Sequence, residues 1–79
     1  MPATYFKNIF NRRSAKKYGW TPAWFHAKDF DGVLVKRIKI FQTRAQLFSS
    51  GICGLKTYKY ILLHRLQNIR KRKTNYKYG

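Results

Sequence analysis

Residues 30–58 read FDGVLVKRIKIFQTRAQLFSSGICGLKTY, and this stretch predicts two helices joined by a glycine-containing turn. Asp31 has a side chain that is typical of a helix N-cap. Apolar residues then recur at spacings of four and three, which is the pattern of an α-helix with one buried face. This stripe consists of Leu34, Ile38 and Phe41, with Val35 beside it.

A turn of small residues at 49–51 ends this helix. Both Gly51 and Gly54 permit positive backbone dihedral angles in a tight loop. Ile52 lies between them and is expected to fill the core between the two helices. Thr57 is expected in the first turn of the next helix.

The third helix is expected to begin near residues 55–57, and its apolar periodicity is the clearest in the chain. Four consecutive cations follow at residues 70–73, where positive charge interacts favourably with the C-terminal end of a helix dipole. The apolar stripe of this helix consists of Tyr58, Ile61, Leu62, Leu66 and Ile69.

A first helix is predicted over residues 9–18. Ile9, Phe10 and Arg13 share one face of this helix. Gly19 follows at the position where a left-handed residue commonly closes a helix.

A short aromatic turn is expected between the first two helices. Thr21 followed by Pro22 is typical of an N-cap and a first helical residue. Trp24 and Phe25 are expected to fill the core, whereas Trp20 fits a core or a surface position equally well. The fold class predicted from these elements is all-α, a small three-helix bundle.

The composition is strongly basic, with 18 Lys and Arg against two Asp and no Glu, giving a formal net charge of +16. A folded domain of this size is expected to carry a net charge of magnitude about 2 to 8, so the excess indicates an anionic partner. RNA, DNA, an anionic cell wall and a lipid surface all fit this charge. The expected polyanion contacts are Arg12, Arg13, Lys16, Lys17, Arg70, Lys71, Arg72 and Lys73.

The residue types needed for catalysis or metal binding are scarce. Cys53 is the only cysteine, which excludes an intrachain disulfide and a multi-thiolate metal site. His26 and His64 are far apart in sequence, and the two Asp residues offer no spacing for zinc or for a Ser-His-Asp triad. We therefore expect a non-catalytic protein without metal or cofactor. No transmembrane segment and no secretory signal is recognised.

Residues 30–58 resemble the repeat of the peptidoglycan-binding-like domain family, which is found beside catalytic domains in cell-wall hydrolases and phage endolysins. In that family a helix ends in a Phe-Gln pair, here Phe41 and Gln42. A turn of the form Asp-Gly-Ile-x-Gly-Pro-x-Thr then opens the next helix, and residues 50–57 match it in register. The aromatic segment at 18–25 also resembles the lead-in of phage proteins with this repeat.

Three residues depart from the family pattern, so the chain looks like a divergent member. Ser50 stands in place of Asp, Leu55 in place of Pro, and Gln46 in place of the Gly before Leu47. Ser50 still offers an acceptor for the loop backbone, and Leu55 loses only a preference for starting a helix. The fold is expected to tolerate these departures better than the ligand specificity does.

The resemblance implies a module that binds peptidoglycan or another anionic wall polymer, beside a catalytic partner domain. It divides the chain into a basic segment with the first helix at 1–19, the binding domain at 20–69 and a basic tail at 70–79. The chain could also be a fragment of a hydrolase from a bacteriophage lysis system, acting at the bacterial cell wall or in the cytoplasm of an infected host. The implied ligand-binding residues are Trp20, Gln42, Ser50, Gly51, Gly54 and Tyr58.

A basic ribosomal protein, or another RNA- or DNA-binding protein, is the alternative. The net charge and the interleaved Tyr and Lys of residues 75–78 favour it. No helix-turn-helix, zinc-finger or ribonucleoprotein motif accompanies these features. The two hypotheses differ in expected salt dependence, because affinity for nucleic acid falls steeply and log-linearly with salt.

Overall fold

The structure is a computed structural model that describes the backbone of residues 3–78 and the side chains of residues 3–68. It contains three α-helices, α1 (Ala3–Tyr18), α2 (Gly32–Arg44) and α3 (Leu55–Tyr78), and a 3₁₀ turn at Pro22–Phe25 between α1 and α2. No strand occurs in residues 3–78. The predicted all-α three-helix bundle is confirmed.

Helix α1 begins at Ala3, earlier than the predicted start at Ile9. Its end is confirmed: Gly19 has a φ of 85°, and the Gly19 N–H donates to the Ala15 carbonyl oxygen at 2.8 Å. Glycine adopts this left-handed conformation without the steric cost that a Cβ would bring.

The inward face of α1 is polar. Asn8 and Asn11 are buried, with 6% and 0% of their surface exposed. The face shared by Ile9, Phe10 and Arg13 is the outer one, because Phe10 and Arg13 are exposed while Ile9 is half-buried. The residues that face these two amides must therefore offer hydrogen-bonding groups. Farther along α1, the inward side also packs two partly buried apolar residues against the core, Ala15 and Tyr18.

Both predicted N-cap positions are confirmed, and of the two only Asp31 makes a side-chain cap hydrogen bond. Thr21 has an extended backbone and precedes Pro22, the first residue of the 3₁₀ turn. Asp31 Oδ1 accepts hydrogen bonds from the N–H groups of Val33 at 3.0 Å and Leu34 at 3.2 Å. The carboxylate satisfies two of the N–H groups that lack helical partners and interacts favourably with the helix dipole.

The core forms where the aromatic segment at 18–25, called the lead-in below, meets α2 and the first turns of α3. The ring of Phe25 contacts those of Trp20 and Phe41 edge-on, with centroids 5.4 and 5.8 Å apart. Trp24 is half-buried against this cluster. The predicted stripe of α2 is confirmed. The buried apolar residues are Trp20, Phe25, Ala27, Leu34, Val35, Ile38, Cys53 and Ile61.

The α2–α3 loop differs from the prediction at two residues. Ile52 is only half-buried, and Cys53, which is fully buried, takes the core position between the helices. Gly51 has a φ of 80°, and a Cβ there would lie 2.7 Å from Val35 Cγ1, so both conformation and space require glycine. Gly54 does not adopt a positive φ, so of the two loop glycines only Gly51 uses the left-handed conformation that glycine permits.

Helix α3 packs on the bundle through its first turns. Ile61 is buried and Leu62 is half-buried, but Leu66 is 48% exposed, so the predicted stripe is wrong at that residue. The reason is direction, because Leu66 follows the buried Ile61 by five residues and so lies about 140° around the helix from it. The side chain of Ile69 lies outside the described residues. Within the described part of the chain, no helix has the length and hydropathy needed to cross a membrane.

Candidate functional site

The side-chain amide of Gln42 joins α2 to the loop and to the start of α3. Its Nε2 donates to the Ile52 carbonyl oxygen at 3.0 Å and to Thr57 Oγ1 at 3.1 Å, with Ser50 Oγ as a third acceptor at 3.3 Å. The Gly51 N–H donates to Gln42 Oε1 at 2.9 Å. Gln42 is 1% exposed. Because a buried amide costs free energy unless it is hydrogen-bonded, these bonds fix the loop geometry.

Helix α1 holds the same loop from another side. Asn11 Nδ2 donates to the Gly51 carbonyl oxygen at 3.1 Å, and the Cys53 N–H donates to Asn11 Oδ1 at 2.9 Å. Ser14 Oγ donates to the Cys53 carbonyl oxygen and accepts from Trp20 Nε1 at 2.9 Å. No buried side-chain nitrogen or oxygen in the described residues lacks a partner. Side chains of α1 and α2 therefore provide hydrogen-bond partners for the N–H and C=O groups of the α2–α3 loop.

Several predicted ligand-binding residues lie in this packed region. Trp20 and Gln42 are 2% and 1% exposed, and Gly51 is also buried. Ser50 is half-buried, and Gly54 is exposed. The structure brings Gln42, Ser50 and Gly51 together, and their hydrogen bonds join the end of α2 to the α2–α3 loop. Ligand binding by these residues stays a prediction.

Tyr58 belongs to a separate stack of aromatic and cationic side chains. Its ring lies between those of Tyr18 and Trp24, nearly parallel to both, with centroids 5.0 and 6.1 Å away. The Arg65 guanidinium lies 4.4 Å from the Trp24 ring, and the Lys17 ammonium lies 5.5 Å from the Tyr18 ring. Cations over aromatic faces are favourable, so this stack ties α1 and the 3₁₀ turn to α3.

An open cleft of about 340 Å³ lies between α2, α3 and the 3₁₀ turn. Its volume falls within the range of about 300 to 1,000 Å³ that is usual for ligand sites. Trp24, Phe41 and Tyr60 contribute aromatic rings to its lining. The polar side chains of the lining are those of His26, Arg37, Arg44, His64 and Gln67.

The charge of the cleft is positive. Arg37 and Arg44 are both exposed, and no acidic side chain lines the cleft. The chain has only two carboxylates, and that of Asp31 caps α2. Guanidinium groups in this setting suit a carboxylate or phosphate ligand, which they bind through paired hydrogen bonds.

The sequence carries part of the signal for this cleft. Arg37, Ile40 and Arg44 recur at spacings of three and four, so they lie on one face of α2, beside the buried stripe. The sequence alone does not distinguish this face from an ordinary solvent-exposed face of a helix, because the position of α3 beside it is not known. Tyr60 and His64 of α3 complete the cleft, and no sequence motif connects them to α2.

The predicted polyanion contacts of α1 lie at the surface. The Arg12 guanidinium also lies 5.1 Å from the ring of Phe30. The exposed cations are Arg12, Arg13, Lys16 and Lys17. The side chains of the other four predicted contacts, Arg70, Lys71, Arg72 and Lys73, lie outside the described residues.

Comparison of the chain with protein-family models, curated proteins and solved structures finds no match. In the described part of the chain, no group of three or more His, Cys, Asp or Glu side chains is placed to hold a metal ion. The cleft and the distribution of charge are therefore the observations from which a function can be inferred.

Proposed function

We propose that this protein is a non-catalytic module that binds bacterial peptidoglycan, with the cleft between α2 and α3 as the ligand site. The proposal depends above all on the presence in one cleft of aromatic rings and two arginines without an acidic neighbour. The apolar faces of sugar rings pack on aromatic side chains. The peptide stems of peptidoglycan carry carboxylates, which arginine binds strongly.

The family resemblance supports the same class of ligand. Gln42, Gly51 and Thr57 occupy positions that the resemblance matches, and they are hydrogen-bonded to one another through the Gln42 amide. Their role in holding two helices together favours a shared way of folding. Specificity in this proposal comes from the cleft, with Tyr58 stacked behind Trp24.

The excess of positive charge supports an anionic target. The exposed cations of α1 would attract such a polymer over distances longer than a hydrogen bond and speed its encounter with the module. In this proposal the module anchors to the wall, and a separate catalytic domain of a lysis system cuts it.

The test is a binding isotherm on purified peptidoglycan sacculi at about 0.15 M salt, where charges farther apart than about 8 Å are largely screened. Combining Arg37→Gln with Arg44→Gln should raise the apparent Kd at least tenfold, since two charge-assisted contacts of about 1.5 kcal/mol or more are lost. Tyr60→Ser should weaken binding by about threefold to tenfold through the loss of an aromatic contact. All three side chains are exposed, so the fold should be retained.

The matched control combines Lys36→Gln with Lys59→Gln. It removes the same charge from exposed positions of α2 and α3 that do not line the cleft. We expect a change in Kd of less than about twofold, because exposed charges outside a contact contribute little at this salt concentration. Equal losses in the two double variants, or no retention of the wild type on sacculi, would contradict a specific cleft.

Nucleic acid remains the alternative target, favoured by the net charge of +16 and the exposed cations of α1. Filter binding to RNA and to DNA, run beside the sacculi across 50 to 200 mM salt, separates the two targets. A nucleic-acid binder that contacts about six or more phosphates loses at least about a thousandfold in affinity over that range. Tighter retention on nucleic acid than on sacculi, with that slope, would replace the peptidoglycan proposal.

A further inference from the structure

Helix α1 presents a second surface, which contributes no residue to the cleft. Tyr5, Phe6 and Phe10 are 51%, 50% and 51% exposed, while Asn8 and Asn11 are buried on the opposite side. This arrangement reverses the usual order of an amphipathic helix, in which apolar residues face the core. The aromatic side chains lie outward because the inner side of α1 must satisfy the loop backbone through Asn11.

Cations continue the same face toward the C-terminal end of α1. Phe6, Phe10, Arg13 and Lys17 recur at spacings of four, three and four, so they line one side of the helix. The aromatic residues occupy the first half of α1 and the cations the second. We define the α1 outer face as Tyr5, Phe6, Phe10, Arg13, Lys16 and Lys17, all of which are exposed.

We propose that the α1 outer face docks on an anionic phospholipid surface, with its aromatic end in the bilayer interface and its cations on the lipid phosphates. The face carries no acidic residue, so its charge complements anionic headgroups. At a rise of 1.5 Å per residue, Arg13 lies about 5 Å beyond Phe10 along the axis, and Lys17 about 16 Å beyond Phe6. Interfacial burial of apolar groups reaches only about 5 to 10 Å. A tilt of α1 toward its aromatic end therefore places Phe6 and Phe10 deepest and keeps Arg13 and Lys17 at headgroup level.

The geometry of the rings favours lipid over a single nucleic-acid strand. The Tyr5 and Phe6 rings meet edge to face, with an interplanar angle of 80° and centroids 5.6 Å apart. Successive bases stack on open and similarly oriented aromatic faces, which this pair does not offer. A bilayer interface requires only contiguous apolar surface, and the hydroxyl group of Tyr5 suits the polar boundary of that interface.

The test is co-sedimentation of the whole chain with vesicles of phosphatidylglycerol and phosphatidylcholine in equal parts, and with vesicles of phosphatidylcholine alone. The wild type should bind the anionic vesicles at least tenfold more tightly, since each cation near the surface contributes about a fivefold factor. Combining Phe6→Ser with Phe10→Ser should reduce binding at least tenfold, because two buried aromatic side chains are lost. The control Phe48→Ser alters a residue of the α2–α3 loop that is 88% exposed, and should stay within about twofold of the wild type.

A second pair of variants, which removes charge and leaves the aromatic residues intact, tests the proposal even if the Phe6/Phe10 variant loses its helical circular dichroism signal. Combining Arg13→Gln with Lys17→Gln should weaken binding to anionic vesicles about 25-fold, and more than the control with Lys36→Gln and Lys59→Gln. The cleft variant with Arg37→Gln and Arg44→Gln should behave like that control. Failure of vesicle binding and failure of peptidoglycan binding are thereby distinguishable.

Four outcomes would overturn the proposal. The first is that the wild type does not sediment with anionic vesicles. The second is that the Phe6/Phe10 variant and the Phe48 control lose vesicle binding equally. The third is binding of a single-stranded oligonucleotide that is abolished by the Phe6/Phe10 variant. The fourth is a wild-type dimer that the same variant dissociates, which would assign the face to a second copy of the chain.

Discussion

Helices α1 and α2 both pack one side against the bundle, yet the buried sides have opposite chemistry. Helix α2 buries Leu34 and Ile38 against aromatic rings, whereas α1 buries Asn8 and Asn11. The difference follows from what lies opposite each helix. Apolar side chains of the lead-in face α2, while the backbone of the α2–α3 loop faces α1 and supplies N–H and C=O groups that need partners. Gln42 plays the same role at the end of α2.

The largest expected effect comes from removing the polar contact of α2. Gln42→Leu should destabilise the fold by about 4 kcal/mol, because the Gly51 N–H loses its buried partner and the Ile52 carbonyl and Thr57 Oγ1 each lose a donor. Urea denaturation followed by circular dichroism measures this loss. The control Gln67→Leu changes an exposed glutamine and should stay within about 0.5 kcal/mol of the wild type. Similar midpoints for the two variants would refute the junction role of Gln42.

The loop conformation itself is tested by Gly51→Ala. We expect a loss of about 3 kcal/mol, because the backbone at this position has a positive φ, which a Cβ disfavours, and the added Cβ meets Val35 Cγ1 at 2.7 Å. Gly54→Ala is the matched control: no atom lies within 4 Å of its Cβ position, and its stability should change by less than about 0.5 kcal/mol. If thermal unfolding shows Gly54→Ala to be less stable than Gly51→Ala, the loop has a different backbone conformation.

The polar contact of α1 should contribute less than that of α2. Asn11→Ala is expected to cost about 2 kcal/mol, since the Gly51 carbonyl and the Cys53 N–H lose their partner but the contact involves fewer bonds. Asn68→Ala, which changes an exposed asparagine, serves as the control for stability. A double-mutant cycle with Gln42→Leu should show coupling of at least about 0.5 kcal/mol, because both side chains hold Gly51. Strict additivity would mean that the two helices hold the loop independently.

The smallest effect at neutral pH concerns Cys53, which lies between the two helices and whose thiol changes stability only above about pH 9. Burial raises the pKa of its thiol from 9.0 to about 12. The folded state therefore favours the protonated thiol, and this stabilisation is fully present below pH 9 and is lost as the pH rises toward 12. At pH 8 a disulfide reagent should label the thiol in urea at least a hundredfold faster than in the folded protein.

Cys53→Ala provides the reference for the pH dependence. Between pH 9 and 12, unfolding free energy should fall more steeply in the wild type than in this variant, by about 1.4 kcal/mol per pH unit at most. Rapid labelling of the folded protein, or equal slopes in the two proteins, would show that the thiol is accessible to solvent.

The best-predicted parts of the fold depend on interactions between residues close in sequence. The cap at Asp31, the turn after Thr21 and the left-handed Gly19 each involve a few consecutive residues, whose side-chain chemistry restricts the backbone directly. The stripe of α2 follows from the helical period for the same reason. The prediction of the α3 stripe is wrong at Leu66, since periodicity does not show how wide a side of the helix the core covers.

The candidate site was harder to predict because its residues are distant in sequence. Arg37 and Arg44 share a face of α2, but only the position of α3 brings Tyr60 and His64 beside them to form a cleft. Likewise, Ile52 and Cys53 are adjacent and both apolar, and only the path of the loop selects the cysteine for the core.

The amino-acid sequence by itself determined the number of helices, the caps of two of them, the buried stripe of α2 and the excess of positive charge. These properties depend on local backbone preferences, helical periodicity and composition. Tertiary structure decided that α1 turns asparagines inward and aromatic rings outward, and that two arginines of α2 border a cleft with α3. The inward face of a helix depends on its partner, and here the partner of α1 is loop backbone, whose polar groups can be buried only when hydrogen-bonded.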